Sequence, residues 1–138
     1  MTDLTPQDWK IDGSGPMSPQ QRKMLNAVCG DLAAQVTWHA NSLNKDDWRH
    51  MLSGTTLGWR MMPAIDRGEG AAGFIMLGGS SLNLSRTQAA ETITMAVQIG
   101  DDPSSQGLRC KPVRWSDVVL LGMGFNPRDF AEPARAAA

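Results

Sequence analysis

The chain has 138 residues, 41% of them apolar and 20% charged, with a formal net charge of −1 from 13 basic and 14 acidic side chains. This excludes a wholly disordered chain and a collagen-like one, and the length suits a single domain with a core of its own. Near-neutrality excludes a histone-like cationic coat but is compatible with a local basic groove.

Two cysteines, Cys29 and Cys110, lack Cys-x-x-Cys spacing, which argues against a disulfide framework or a zinc cluster. No apolar run nears the ~18 residues of a membrane span. The opening segment is polar and broken by Pro and Gly, unlike a signal peptide. A cytoplasmic protein without membrane contact is expected.

Residues 1–17 contain Pro6, Gly13, Gly15 and Pro16 and read as a flexible N-terminal arm, with Trp9 the residue to dock. A domain over 18–124 follows, and a tail with Pro127, Pro133 and a terminal Ala run occupies 125–138. The domain opens on Ser18-Pro19-Gln20-Gln21, a helix start in which Ser18 caps, Pro19 takes the first helical position and Gln21 reaches back. Leu25, Val28, Leu32 and Val36 then recur at three- and four-residue steps, with Met24 and Cys29 beside them, giving a first amphipathic helix. Asn44-Lys45-Asp46-Asp47 starts a second helix, with two carboxylates at the positive end of its dipole. Trp48, Met51, Leu52 and Thr55 form its inner face and Gly58 its stop.

The period then changes. Residues 60–65, 66–70 and 72–77 read as strand, turn and strand, with Pro63 marking an edge. Two strands alone are marginally stable, so this hairpin calls for a helix beneath it or strands from another chain. Ser85-Arg86-Thr87-Gln88 starts a third helix carrying Ala89, Ile93, Ala96 and Val97, which ends at Gly100. Residues 101–112 are irregular. Residues 113–123, with a Val-Val-Leu-Leu run, fit helix and strand equally. The fold class is therefore α+β: three main helices with a small antiparallel β-sheet.

Three constellations bear on chemistry. Asp46, Asp47 and His50 share one turn, a spacing that could hold a divalent ion in a small metal-dependent nuclease. The two carboxylates already have a role at the helix start, however, so no metal, cofactor or catalytic residue is assigned. Cys110 lies between Arg109 and Lys111, a setting that favours a thiolate, but no His is near it in sequence; Cys29 reads as core. Gly78-Gly79-Ser80-Ser81 follows a strand but lacks the Lys of a phosphate-binding loop, and reads as an ordinary turn.

The third constellation is basic. Arg109, Lys111 and Arg114 fall within six positions and Trp115 follows them, while Arg22, Lys23, Arg49 and Arg86 punctuate the helices. Cations of this kind track phosphates, and an aromatic face stacks on an unpaired base. These seven cations are the candidate DNA contacts, with Trp115 the candidate stacking residue. Trp38 and Trp48 read as packing residues at the junction of helices one and two.

The order of several short pieces resembles one family. Gln21-Arg22-Lys23, Gly30-Asp31, Gln35-Val36-Thr37-Trp38-His39, Leu43 and Trp48-Arg49 are followed by Met62-Pro63, Gly73-Phe74-Ile75-Met76-Leu77-Gly78, Ser80-Ser81, Gly107 and Val113-Arg114-Trp115-Ser116-Asp117. Together they look like the NinB family of phage recombination proteins, over about residues 18–117. The resemblance implies a non-enzymatic recombination mediator: an intertwined homodimer with a basic channel that binds single-stranded DNA. Such a protein assists recombinase loading on DNA coated by the host single-strand-binding protein. An adaptor that contacts that protein and touches DNA only indirectly is the alternative within the same setting.

The chain departs from the family at three places. Leu82-Asn83 stands where close members carry Ser-Arg, which removes a cation. Asn26 occupies a position often held by Trp. Ala40 replaces a Gly, with Asn41 beside it able to take a left-handed turn.

Overall fold

The computed structural model describes residues 7–68, 70, 73–78 and 83–126. Among the described residues four helices and two short antiparallel hairpins make an α+β fold: α1 (Pro19–Gln35), β1 (Thr37–Trp38), β2 (Asn41–Ser42), α2 (Lys45–Leu57), β3 (Trp59–Pro63), β4 (Phe74–Gly78), α3 (Arg86–Asp101) and α4 (Asp117–Gly122). A 3-10 turn, Pro103–Gln106, follows α3.

Each of the three long helices begins with a reciprocal capping box: Ser18 with Gln21, Asn44 with Asp47 and Ser85 with Gln88. These satisfy amide donors that the first helical turn leaves without intrahelical partners. Gly58 ends α2 at φ 93°, where a side chain would be strained.

α1 is the central helix and packs against α2, α3 and α4. Met24, Val28, Cys29 and Leu32 on α1 meet Trp48 and Leu52 on α2, Ile93 and Ala96 on α3 and Val119 on α4, all fully or nearly fully buried. Trp48 and Trp38 pack edge to face, with ring centroids 5.6 Å apart, as expected of residues that fix the first inter-helix junction. Thr55 does not join the inner face of α2. It is exposed and bonds back to the Met51 carbonyl, while Thr56 turns inward to share a 2.6 Å hydrogen bond with Thr92 of α3.

The ambiguous segment at 113–123 resolves into the short helix α4, because its apolar residues Val119 and Leu120 must reach a core made of helices. The segment before Ser18 packs along the domain from residue 7 onward. Trp9 is 3% exposed and its Nε1 donates to the Gly122 carbonyl at 2.7 Å. Gln21, fully buried, donates to the carbonyls of Trp9 and Arg86. Residues 1–6 and the tail from 127 lie outside the described residues, as do Gly79, Ser80, Ser81 and Leu82.

The β3–β4 hairpin has Met61 opposite Met76 and Met62 opposite Ile75. Trp59 lies over Gly54 of α2, so closely that a Cβ on residue 54 would meet the indole at 1.9 Å. β4 also borders α2, but most of the hairpin's side chains stay exposed. Met61 is 65% exposed, Phe74 68% and Met76 53%, and their strand neighbours Met62, Ile75 and Leu77 are exposed as well. Adjacent residues point to opposite faces of a strand, so neither face is sealed.

Candidate nucleic-acid interface

Pieces of the family resemblance that lie far apart in sequence, at Asp31 and Gln35 and at Val113–Asp117, meet in space. At the C-terminal end of α1, Gln35 acts as a clamp. Its Oε1 accepts from the Arg114 amide and its Nε2 donates to the Arg114 carbonyl, both at 2.8 Å. One turn earlier Asp31 accepts from the Ser116 amide at 2.8 Å, at the entrance to α4. Two side chains on one helix thus hold the backbone of Arg114 and Ser116, on either side of Trp115, in a loop far away in sequence. The Val113 amide donates to the Gly100 carbonyl, which ties the same loop to α3.

This clamped loop carries Arg109, Lys111 and Arg114, all exposed. Among the described residues no carboxylate pairs with any of the three. A backbone fixed by a helix, with cations projecting from it, can meet a phosphate chain without first ordering itself. These three of the seven candidate cations come together.

The other four lie apart. Arg22 and Lys23 are exposed near the start of α1, about 20 Å along the helix from Gln35 at 1.5 Å per residue. Arg49 is half-buried, pairs with Asp46 and donates to Asn26 on α1 at 3.0 Å. It therefore braces α2 on α1. Arg86 donates from Nε to the Pro16 carbonyl, and its aliphatic stem lies 3.3 Å from the place of a Cβ on Gly13. It holds the N-terminal segment.

Trp115 is half-buried. Its ring lies on Gly100, where an added Cβ would come within 2.3 Å, and its Nε1 donates to Asp101 at 2.8 Å. The indole anchors the basic loop to α3, and this packing takes up part of the surface that a base would stack on.

The triplet weighed as a metal site is committed elsewhere. Asp47 completes the α2 capping box, Asp46 pairs with Arg49, and His50 is exposed. Among the described residues no group of three His, Cys, Asp or Glu side chains is placed to hold a metal ion. Cys29 is sealed in the core, where burial pushes its thiol up to about 12 against the pull of Arg49 and Lys45. Among the described residues no helix is long and apolar enough to cross a membrane.

Sequence reasoning missed the short β1–β2 hairpin. Its turn places His39 at φ 45° and Ala40 at φ 70°. Asn41 does not take the left-handed position expected of it. It sits in β2 and donates from its side chain to the His39 carbonyl. A turn with both central residues left-handed usually carries Asn or Gly there, so His-Ala gave no turn signal.

The profile of the NinB protein family matches residues 16–104. The chain is 23% identical to the NinB protein of Escherichia phage lambda and 23% identical to a prophage-derived NinB protein of Escherichia coli, over 111 residues in each case. Each alignment covers 80% of this chain and 68% of the relative. A solved structure described as NinB superposes with a TM-score of 0.54 at 24% identity, over 72% of this chain and 66% of that one. The chain thus spans about two thirds of the length of the relatives it matches. On this evidence the chain belongs to the NinB protein family.

Proposed function

We propose that the protein is a phage homologous-recombination mediator that binds single-stranded DNA as a homodimer and, without catalysing a reaction, assists recombinase loading on strands coated by single-strand-binding protein. The observation that carries this reading is the clamped loop: Arg109, Lys111 and Arg114 exposed, with no carboxylate partner among the described residues. Phosphate contacts of this kind give affinity without reading sequence, which suits a protein that must act on any strand. Membership of a family whose matched relatives include phage and prophage proteins supports the setting.

The open hairpin supports the dimer. Met61, Phe74 and Met76 on β3–β4 are apolar and mostly exposed in one protomer, a state that a second copy relieves. Two-fold symmetry would also double the number of basic loops, so a chain with a net charge of −1 can still present a cationic surface.

The test is a titration of labelled single-stranded and duplex DNA at two salt concentrations. Log affinity for the single strand should fall linearly with log salt. Lys111→Ala or Arg114→Ala should flatten the slope by about 0.7 for each lost phosphate contact. Binding that ignores salt, or ignores both substitutions, would refute the reading.

A further inference from the structure

Next to the basic loop lies a cleft of about 380 Å³, between the β1–β2 turn and residues 107–110. His39 and Arg109 both line it, with Thr37, Leu108 and Cys110. Its shape depends on unusual backbone. His39 and Ala40 are both left-handed without being glycine, a conformation that non-glycine residues keep only where the surroundings enforce it. Opposite them Gly107 has φ 74°, and a Cβ there would sit 3.9 Å from His39 Cε1.

The lining has one chemical bias. It holds a guanidinium, an imidazole, a hydroxyl and a thiol, and no carboxylate. No carboxylate among the described residues pairs with Arg109. The thiol of Cys110 turns to the Thr37 carbonyl. A cleft with a cation and no acid selects an anion. Its volume lies in the lower range of small-molecule sites and is generous for a bare phosphate. Leu108 and Ala40 give it apolar surface as well.

Resting on the reading that the protein binds unpaired DNA, we propose that this cleft receives one nucleotide of the strand, with its phosphate on Arg109 and its base against His39. Lys111 and Arg114 follow Arg109 in the same loop and continue the track for neighbouring phosphates. The shared chemistry is a nucleotide phosphate, whether internal to a strand or at its 5′ end.

Cys110 makes the cleft observable. It is the partly exposed thiol of the chain, whereas Cys29 is fully buried. Alkylation by the uncharged reagent N-ethylmaleimide therefore reports on Cys110, and fluorescence anisotropy of a labelled oligothymidylate reports binding in the same sample. At ten times Kd the strand should slow alkylation about tenfold by mass action. Protection at matched occupancy should vanish in Arg109→Ala and in His39→Asn, a residue that tolerates the left-handed turn.

An oligothymidylate with and without a 5′ phosphate separates an end from an internal site. Thymidine monophosphate, thymidine and inorganic phosphate serve as small probes. Protection by the strand or the monophosphate, but not by thymidine, supports the site. Anisotropy showing a bound strand while Cys110 reacts at its free rate would overturn this inference and leave the proposed function standing. Absence of anisotropy change would remove both. Equal protection by inorganic phosphate would reduce the cleft to an unspecific anion site and also overturn it.

Discussion

Replacing Gly100 by alanine sets two local effects against each other, and the structure decides between them. Gly100 lies in the last turn of α3, where alanine is intrinsically favoured by roughly 1 kcal/mol. A Cβ at that point would fall 2.3 Å from two ring carbons of Trp115 and 3.4 Å from a Leu32 methyl. The ring has little freedom to retreat, because its Nε1 is held by Asp101 and the loop before it is tied by the bond from the Val113 amide to the Gly100 carbonyl.

Overpacking of this kind costs about 1–3 kcal/mol. Loss of the Trp115–Asp101 hydrogen bond adds about 1 kcal/mol. The clash outweighs the propensity, and Gly100→Ala should lose about 1–3 kcal/mol, a fall in Tm of roughly 4–10 °C for a chain of this size. Gly30→Ala is the control, since that helical glycine has nothing within 4 Å of an added Cβ and should gain about 0.5–1 kcal/mol. Urea unfolding followed by far-UV circular dichroism, at fixed protein concentration, measures both. A Gly100→Ala protein as stable as its parent would refute the account of how the basic loop is seated.

Three further outcomes are expected. Gln35→Ala removes both bonds to the Arg114 backbone and should cost about 1–2 kcal/mol; trypsin should then cut after Arg109 and Arg114 faster, and unchanged cleavage would show that the clamp does not hold the loop. Phe74→Ala should split the proposed dimer: closing a ring that is 68% exposed is worth about 2 kcal/mol. Two symmetric copies double this to about 4 kcal/mol, roughly a thousandfold in the dimer Kd by sedimentation. Cys29 should make stability fall in alkali: burial lifts its thiol from about 9 to about 12, so the unfolded chain releases its proton first and stability drops across that window by up to about 1.4 kcal/mol per pH unit. Cys29→Ala should flatten this slope in chemical unfolding between pH 8 and pH 10, taken as roughly the start of the window.

What the sequence made legible was local. Ser18, Asn44 and Ser85 announce their helices because a capping box is closed by residues three apart. The hairpin was legible for the same reason, through the change of period and the glycines between its strands. Gln21 shows the limit of such reading. Its spacing from Ser18 marks it as a cap partner, but its side-chain nitrogen also donates to the carbonyls of Trp9 and Arg86, so the same residue pins the N-terminal segment. No local pattern carries that second role.

The candidate site was legible in residue type and illegible in partnership. Arg49, Arg86 and Arg114 look alike in a sequence, but Asp46 neutralises the first, a backbone carbonyl engages the second, and the third projects from a loop that Gln35 holds from 79 positions away. Trp115 reads as a stacking face in the sequence, and in the fold part of its ring packs on Gly100. The β3–β4 hairpin extends the point beyond one chain. Apart from Arg60 its strand residues are apolar on both faces, a pattern that predicts burial on both sides, and the described residues of the chain leave Met61, Phe74 and Met76 in water. We propose that a second copy, with the same exposed hairpin, supplies a covering surface of matching chemistry.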